Sequence, residues 1–225
     1  MSTMVSKLDL IRRVPLFSML TTSQAESVAQ AVIKRRYKRG EAIVEQGKKS
    51  NALAILLTGR ARVVTTDARG REVILATLQP GAYVGEMSLI DNEPHSATVR
   101  TEVQTDVLVV GRPEFGRCLL ENSAMAYAVM NGLVQRLRQA DRKIESLALM
   151  DVYGRVARAL LEFSSKDGEG NALIRDKVSR QDLAKMVGAS REMVSRVMKD
   201  LEERGFIETR PDGAMLVRER LQAMD

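Results

Sequence analysis

Apolar residues follow different periods in different parts of the chain. From about Leu8 to Lys34 they recur at helical spacing, and the polar stretch 21–23 offers a cap for the helix that continues from Ala25. After Tyr37 the apolar runs become short and are separated by glycines at positions 40, 47, 59, 70 and 81. The clearest runs are Leu53 to Leu57, Ala61 to Thr65, Val73 to Leu78 and Asp106 to Val110. Short strands broken by turns predict an antiparallel barrel or jelly roll.

Beyond Pro113 the period lengthens into a heptad pattern. The apolar positions alternate in steps of three and four residues: Met130, Leu133, Leu137, Ala140, Ile144 and Leu147. Such a seam predicts a long helix that forms a parallel two-stranded coiled coil, with Arg136 of one chain pairing with Asp141 of its partner. The alternative is a helix packed on its own barrel. We expect a homodimer.

The last third of the chain combines helical patterns with a predicted loop and hairpin. It is predicted to be helical to about Ser165 and then to form a polar loop, Lys166 to Asn171, followed by two short helices and a hairpin. The expected fold is therefore α+β, with a first domain in 1–120, a dimerisation helix and hinge in 121–150, and a second domain in 151–225.

Composition favours a folded protein with an anionic partner. The 225 residues are 44% hydrophobic and carry a formal net charge of +6. Residues 151–225 hold 14 basic and 14 acidic side chains, so the whole excess lies in the first 150 residues. Net charge alone therefore does not locate a nucleic-acid site.

Scarce residue types exclude several chemistries. One cysteine, Cys118, cannot supply an iron–sulfur cluster or a cysteine-rich zinc site, and it favours a reducing cytoplasm. Haem would need His95 or Cys118 as its ligand. We instead expect His95 to be a solvated loop residue or a weak phosphate donor, and Cys118 to be a small buried hydrophobe. We expect no metal, haem or iron–sulfur cluster. The start, Met1 to Leu10, alternates polar and apolar residues, and no uncharged apolar run approaches the length of a membrane span, so we expect neither secretion nor membrane insertion.

A helix-turn-helix pattern runs from Ser179 to Arg196. Ser179 and Ser190 are placed to cap two helices, with Asp182 as a capping-box partner, and Gly188 permits the tight turn between them. The apolar contacts between the helices are assigned to Leu183, Val187, Val194 and Val197. A hairpin of Phe206 to Thr209, turn 210–213, and Ala214 to Val217 would form a wing.

The second helix carries the chemistry for reading bases. Arg191, Glu192 and Arg196 lie on nearly one face from its N-terminal turn. Arginine pairs with guanine O6 and N7, and glutamate accepts from cytosine N4. The alternative is a solvated face in which Glu192 and Arg196 form an ordinary ion pair.

Together these features resemble the CRP/FNR family of bacterial transcription regulators over about residues 14–217. The first domain carries the resemblance in Pro15-Leu16-Phe17, Tyr37-x-x-Gly40-Glu41, Gly47, Leu57-x-Gly59, Gly81-x-x-x-Gly85-Glu86-Met87-Ser88-Leu89 and Pro94-His95-Ser96-Ala97-Thr98-Val99. The second domain carries it in Asp151-Val152-x-Gly154-Arg155 and in the stretch from Ser190 to Arg196.

The resemblance implies a cyclic-nucleotide-binding jelly roll, a long dimerisation helix and a winged helix-turn-helix. It implies a homodimer that binds an inverted repeat in double-stranded DNA and works with RNA polymerase, and it implies neither an enzyme nor a membrane protein. Base contacts would come from Arg191, Glu192 and Arg196, a trio similar to that of members that read TGTGA half-sites. Phosphate contacts would come from Ser179, Arg180 and Ser190, with Gln181 and Ser195 beside them.

The same resemblance places an effector at Gly85, Glu86, Met87, Ser88, His95, Ser96 and Ala97. Glycine permits close approach of an anionic ligand, and Glu86 could accept from a ribose hydroxyl. Two features depart from the family's cAMP binders. His95 replaces the arginine that neutralises the cyclic phosphate, and Ala140 and Asp141 replace a Thr-Ser pair that contacts adenine.

Arg138-x-x-Asp141 resembles a motif that some proteins use for cyclic di-GMP, with arginine against guanine and aspartate accepting from its N1 and N2 donors. Arg136, Arg138, Arg142 and Lys143 would suit a doubly anionic ligand. On sequence alone cyclic di-GMP is slightly favoured over cAMP as the effector. An effector-independent regulator and a nucleotide-processing enzyme are the alternatives.

Overall fold

A computed structural model describes residues 6–12, 14–166, 172–175, 178–210, 212–218 and 221. The chain divides into two units, Met1–Arg136 and Leu137–Asp225.

The first unit contains helices that precede, interrupt and follow a β-region. They are α1 (Lys7–Arg12), α2 (Thr22–Ala31), α3 (Glu86–Asp91), α4 (Arg112–Glu121) and the first half of α5 (Ser123–Leu149). The continuous helical segment predicted from Leu8 to Lys34 is wrong in two places. A 3-10 turn at Pro15–Phe17 interrupts it, because proline has no amide hydrogen for an intrahelical bond, and a strand begins at Ile33.

Among the residues of the first unit that the structure describes, eight strands form two four-stranded antiparallel sheets. They are β1 (Ile33–Tyr37), β2 (Ala42–Val44), β3 (Ala52–Thr58), β4 (Ala61–Thr66), β5 (Glu72–Leu78), β6 (Tyr83–Val84), β7 (Thr98–Thr101) and β8 (Thr105–Gly111). One sheet has the order β1-β8-β3-β6 and the other β2-β7-β4-β5. The jelly roll is confirmed, and each of the four predicted apolar runs lies in a strand.

The central strand β3 is apolar on both faces because both are covered. Leu53 and Ile55 pack with the helices, whereas Ala54 and Leu56 point into the interior between the sheets. This explains a continuous apolar run where a half-exposed strand would alternate.

The edge strand β1 is held by ion pairs rather than by an apolar pattern. Asp106 of β8 accepts two hydrogen bonds from Arg36, at 2.6 and 3.0 Å, and pairs with Lys34 at 2.9 Å. These contacts, led by the Arg36 hydrogen bonds, lower the pKa of Asp106 to about 2. The polar sequence of β1 hides it from a search for apolar alternation.

The second unit is a helical core closed by a small sheet. Its elements are the second half of α5, α6 (Val152–Phe163), β9 (Ser165–Lys166), β10 (Ala172–Ile174), α7 (Arg180–Val187), α8 (Arg191–Glu203), β11 (Ile207–Thr209) and β12 (Met215–Val217). The predicted hairpin is confirmed as β11 and β12, and the sheet order is β11-β12-β10-β9. The polar loop is wrong at Lys166, which lies in β9, and its remainder, 167–171, lies outside the described residues.

Helix α5 presents apolar side chains to solvent along its predicted seam. Met130, Leu137, Ile144 and Leu147 are 55–65% exposed, while Leu133 packs against the core of the first unit. The long helix is confirmed, and its pairing with a second chain stays a prediction.

Candidate nucleic-acid interface and effector site

The helix-turn-helix is built as its sequence predicts. The hydroxyl of Ser179 accepts from the amide of Asp182 at 3.0 Å, and that of Ser190 accepts from the amide of Met193 at 3.2 Å. Gly188 ends α7 in the left-handed region, with φ of 65°. The predicted serine caps and the turn at Gly188 are therefore confirmed, and the role of Asp182 as a capping-box partner stays a prediction.

A buried core holds the two helices together. Leu183, Val187, Val194 and Val197 are all at most 7% exposed. Arg155 of α6 adds a contact that the sequence did not reveal, because its Nη1 donates to the carbonyl of Val187 at 2.8 Å. The end of α7 is therefore held by a cation, which suits the negative end of a helix.

The N-terminal half of α8 exposes the candidate base-reading side chains. Arg191, Glu192, Ser195 and Arg196 are all exposed. Arg180 is half-buried, and Ser179, Gln181 and Ser190 are exposed near the starts of the two helices. A polar and accessible helix face is the kind that enters a major groove.

Glu192 is oriented by the start of its own helix. Hydrogen bonds from its backbone amide and from Ser190, helped by Arg191 and Arg196, lower the pKa of Glu192. Within the described part of the chain no ion pair within 4.0 Å joins Glu192 to Arg196. The carboxylate stays ionised and available as an acceptor for cytosine N4.

The wing has a tight turn at its tip. The amide of Arg210 donates to the carbonyl of Ala214 at 2.8 Å, and the amide of Gly213 donates to that of Arg210 at 2.9 Å. Pro211 lies outside the described residues.

In the first unit, Gly85 is required by the packing of its backbone. Its φ is 97°, and a Cβ there would lie 2.7 Å from the carbonyl oxygen of Ala52 in β3. Both features demand glycine, so the packing of the chain explains this residue without close approach of a ligand. Gly85 also provides the residue before α3.

Glu86, the first residue of α3, has a carboxylate buried to 98%. One oxygen pairs with the guanidinium of Arg136 on α5, and that guanidinium also donates to the carbonyl of Tyr83 and lies 4.9 Å from the centre of the Tyr83 ring. Oε2 has no hydrogen-bond donor among the described residues. Burial raises the pKa of Glu86, and Arg136 offsets this only in part.

Tyr83 fits against α5 because the helix has a glycine there. A Cβ on Gly132 would collide with the Tyr83 hydroxyl, which donates to the carbonyl of Val129 at 3.4 Å. The aromatic ring thereby supplies the face over which Arg136 lies.

The ion pair predicted between Arg136 and Asp141 of a partner chain stays a prediction. Within its own chain Arg136 is engaged by Glu86 and Tyr83. An ion pair across a dimer would therefore compete with the contact of Arg136 to the buried carboxylate of Glu86.

The remaining residues of the α3 segment differ in accessibility. Ser88 is buried and donates to the carbonyl of Glu93 at 2.6 Å, so its hydroxyl closes the loop after α3. Met87 and Ser96 are exposed, and Ala97 is buried. Of these side chains, Ser96 is the accessible polar one.

The expectation that His95 is a solvated loop residue is wrong. His95 is only 9% exposed, and its Nε2 lies 2.9 Å from the hydroxyl of Ser50, which itself donates to the carbonyl of Ala52. This network favours a neutral ring that donates from Nε2, and burial lowers the pKa of His95. The imidazole therefore cannot replace the charge of an arginine. Cys118 is buried, as expected.

Arg138 and Asp141 are exposed on α5. With 3.6 residues per turn, Arg138 lies about 200° around the helix from Arg136. Along α5 the Arg138-x-x-Asp141 pair therefore does not share the helix face of Arg136.

No cluster of His, Cys, Asp and Glu that could hold a metal ion occurs among the described residues. A search of the same residues finds no helix that combines the length and the apolar character needed to cross a membrane.

Comparison with known proteins gives consistent matches for both units. The model of the cyclic nucleotide-binding domain matches residues 34–122, and that of the Crp-like helix-turn-helix domain matches residues 154–224.

Two of the matching relatives are bacterial regulators that are more than 30% identical to this chain. The cAMP-activated global transcriptional regulator Vfr of Pseudomonas aeruginosa is 34% identical over 185 residues, covering 77% of this chain and 84% of that protein. The cyclic AMP receptor protein of Thermus thermophilus is 33% identical over 205 residues, covering 91% and 93%.

Among solved structures, the c-di-GMP responsive global regulator CLP of Xanthomonas campestris is similar, with a TM-score of 0.73 and 27% identity. The match covers 88% of this chain and 98% of that one.

Proposed function

Because the chain belongs to the CRP/FNR family of transcription regulators, we propose that it is a homodimeric regulator that binds specific DNA sequences under the control of a cyclic nucleotide. The observation that carries the control is the buried carboxylate of Glu86, which keeps one oxygen without a hydrogen-bond donor from the described residues. A ribose hydroxyl would satisfy that oxygen.

DNA recognition is assigned to α8 and the residues that cap the two helices. Arg191 and Arg196 would donate to guanine, and Glu192 would accept from cytosine. Contacts to phosphates and nearby backbone are assigned to Ser179, Arg180, Gln181, Ser190 and Ser195. Backbone contacts hold the helix in register, whereas base contacts discriminate between sequences.

Dimerisation is assigned to the exposed apolar side chains of α5. Each of four apolar side chains is more than half exposed in the single chain: Met130, Leu137, Ile144 and Leu147. Exposed apolar surface is unfavourable in water, and packing against a second α5 would bury it. A two-fold dimer implies an inverted-repeat operator with half-sites about one helical turn apart.

The same proposal assigns the domain boundaries, the cellular compartment and the effector residues. Residues 1–120 form the effector domain, 121–150 the dimerisation helix and hinge, and 151–225 the DNA-binding domain. Such a regulator works in the cytoplasm with RNA polymerase and is not an enzyme. The effector residues are Gly85, Glu86, Met87, Ser88, His95, Ser96 and Ala97, joined by Arg136.

We place cAMP first among the effectors, which reverses the order that the sequence favoured. Relatives named for cAMP match 84–93% of their length, and Arg136 reaches Glu86 from a face of α5 that Arg138 does not share. The buried His95 supplies no positive charge to a cyclic phosphate. Arg136, which contacts Glu86, can supply that charge instead.

Cyclic di-GMP is the second candidate, and the exposure of Arg138 and Asp141 supports it. Both side chains are accessible to guanine, and no hydrogen bond or ion pair with another described residue occupies either of them. The similarity to CLP adds to this candidate.

Calorimetric titration of the full-length protein with cAMP, cyclic di-GMP and 5′-AMP tests the proposal. Binding of cAMP should weaken about tenfold or more in Glu86→Gln, because a hydrogen bond to a charged acceptor is lost, and should tighten in His95→Arg. Arg138→Ala and Asp141→Ala should leave cAMP affinity unchanged. If they instead weaken cyclic di-GMP binding while cAMP does not bind, the second candidate replaces the first. Absence of binding by both cyclic nucleotides contradicts the proposal.

A further inference from the structure

Helix α3 is short, and its C-terminal carbonyls are held by one side chain from a distant part of the chain. Arg112, the first residue of α4, donates from Nη1 to the carbonyl of Leu89 at 2.9 Å and from Nη2 to that of Ser88 at 3.0 Å. The last carbonyls of a helix lack intrahelical partners, so the guanidinium supplies two of the missing donors and a favourable charge.

Arg112 is itself fixed in place. Its backbone amide donates to the carbonyl of Asn51 at 2.8 Å, and its Nε lies 3.4 Å from Oδ1 of Asn51, immediately before β3. Nη2 also lies 3.4 Å from Oδ1 of Asn92, the residue that ends α3. The guanidinium therefore ties the end of α3 to the start of the central strand.

The two ends of α3 are thus held by two arginines in different ways. Arg136 holds the carboxylate of Glu86 at the first residue, a contact between charges that an anionic ligand can disturb. Arg112 holds backbone carbonyls at the last turn, a contact that involves no atom of the Glu86 side chain. A change at the Glu86 carboxylate therefore leaves the donors and acceptors of the second contact in place.

We propose that Arg112 is a positioning residue for effector binding, whose forked contact with the carbonyls of Ser88 and Leu89 fixes α3 so that the carboxylate of Glu86 meets the ligand. The proposal rests on the effector site described above. A planar guanidinium suits this role because its donors address two adjacent acceptors at once, which an ammonium does not do with fixed geometry.

The test compares Arg112→Gln with Arg117→Gln. Arg117 is a matched control because it lies on the same helix, is exposed, and donates to the hydroxyl of Ser27 at 3.0 Å without contacting α3. Titration of each full-length variant with cAMP and cyclic di-GMP should show about tenfold weaker binding for Arg112→Gln of whichever nucleotide the wild type binds, and wild-type affinity for Arg117→Gln.

A double-mutant cycle separates positioning from general loss of structure. If Arg112 acts through Glu86, the fold-loss in affinity of the double variant should be smaller than the product of the fold-losses of Arg112→Gln and Glu86→Gln. We expect it to be smaller by a factor of about three or more. Losses that multiply fully, or an unchanged affinity in Arg112→Gln, overturn the proposal while leaving the effector site intact.

Hydrogen exchange in the ligand-free protein provides a readout that does not depend on the effector. The amide of Leu89 donates to the carbonyl of Gly85 at 3.1 Å within α3, so its exchange reports opening of this helix. It should accelerate about fivefold or more in Arg112→Gln, while amides of β8 keep their wild-type rates. Unchanged exchange at Leu89 overturns the proposal, even if wild-type protein binds no nucleotide and the effector assignment fails on its own.

Discussion

Arg136 and Glu86 form an ion pair in which the glutamate keeps one carboxylate oxygen free of any donor from the described residues. Desolvation dominates the electrostatics of Glu86 and raises its pKa despite the adjacent guanidinium. Ionisation of this side chain is therefore less favourable in the folded protein than in water, and a ligand that donates a hydrogen bond to the free oxygen would offset part of this cost.

Replacing Glu86 with Gln should separate stability from effector binding. Because the folded pKa of Glu86 is raised, its contribution to stability is present below the unfolded pKa and is lost as the pH rises through the folded pKa. Glu86→Gln should therefore unfold at an equal or higher temperature than wild type at pH 7, with the difference vanishing near pH 4. A markedly lower melting temperature at pH 7 would show that the Arg136 contact outweighs desolvation.

Arg196→Ala and Arg180→Ala should weaken DNA binding in different ways. Loss of Arg196 should remove discrimination at one guanine of each half-site, at a cost of about 1 to 3 kcal/mol, because a bidentate base contact disappears. Loss of Arg180 should weaken all sequences alike and flatten the salt dependence. Fluorescence anisotropy with matched and mismatched operators measures both effects, and an equal loss of specificity in the two variants contradicts these roles.

Charge on the seam of α5 should disrupt the dimer. Leu137→Lys and Ile144→Lys place an ammonium at positions that are 62% and 65% exposed in one chain and buried in the proposed dimer. Each should weaken dimerisation at least about tenfold, because a buried, unpaired charge costs several kcal/mol. Glu145→Lys is the matched control, since Glu145 is exposed and lies outside the heptad seam. Light scattering across a dilution series should show monomers for the first two variants only; unchanged dimer mass in all three would place the interface elsewhere.

Asp106 should contribute to stability in a pH-dependent way. Its folded pKa of about 2 lies below the usual 3.8, so its contribution is present above the unfolded pKa and is lost as the pH falls through the folded pKa. Allowing for the exposure of Lys34 and Arg36, Asp106→Asn should cost about 1 to 2 kcal/mol at pH 7, with the difference shrinking as the pH falls from about 5 towards 2. Urea unfolding at several pH values measures this, and a difference independent of pH would assign the loss to packing instead.

Local signals made the helix-turn-helix and half of the strands predictable from sequence. Ser179 and Ser190 cap helices through amides three residues away, and Gly188 takes the left-handed conformation that ends α7. These rules depend on neighbours along the chain. The strand β3 was visible because both of its faces are buried.

Contacts between residues far apart in the chain could not be predicted from the sequence. Arg136 and Glu86 are 50 residues apart, so the heptad pattern gave no sign of the ion pair between them. His95 becomes buried because Ser50, 45 residues earlier, folds beside it. The role of Arg112 had no local signal, since its acceptors are backbone carbonyls 23 and 24 residues away.

The most direct test of the central claim is the affinity of the full-length protein for an inverted-repeat operator with and without saturating cyclic nucleotide. We expect cAMP, or failing that cyclic di-GMP, to change the dissociation constant at least about tenfold, and we expect Glu86→Gln to abolish that change while retaining binding to DNA. Operator affinity that is the same in the presence and absence of both nucleotides would contradict the account.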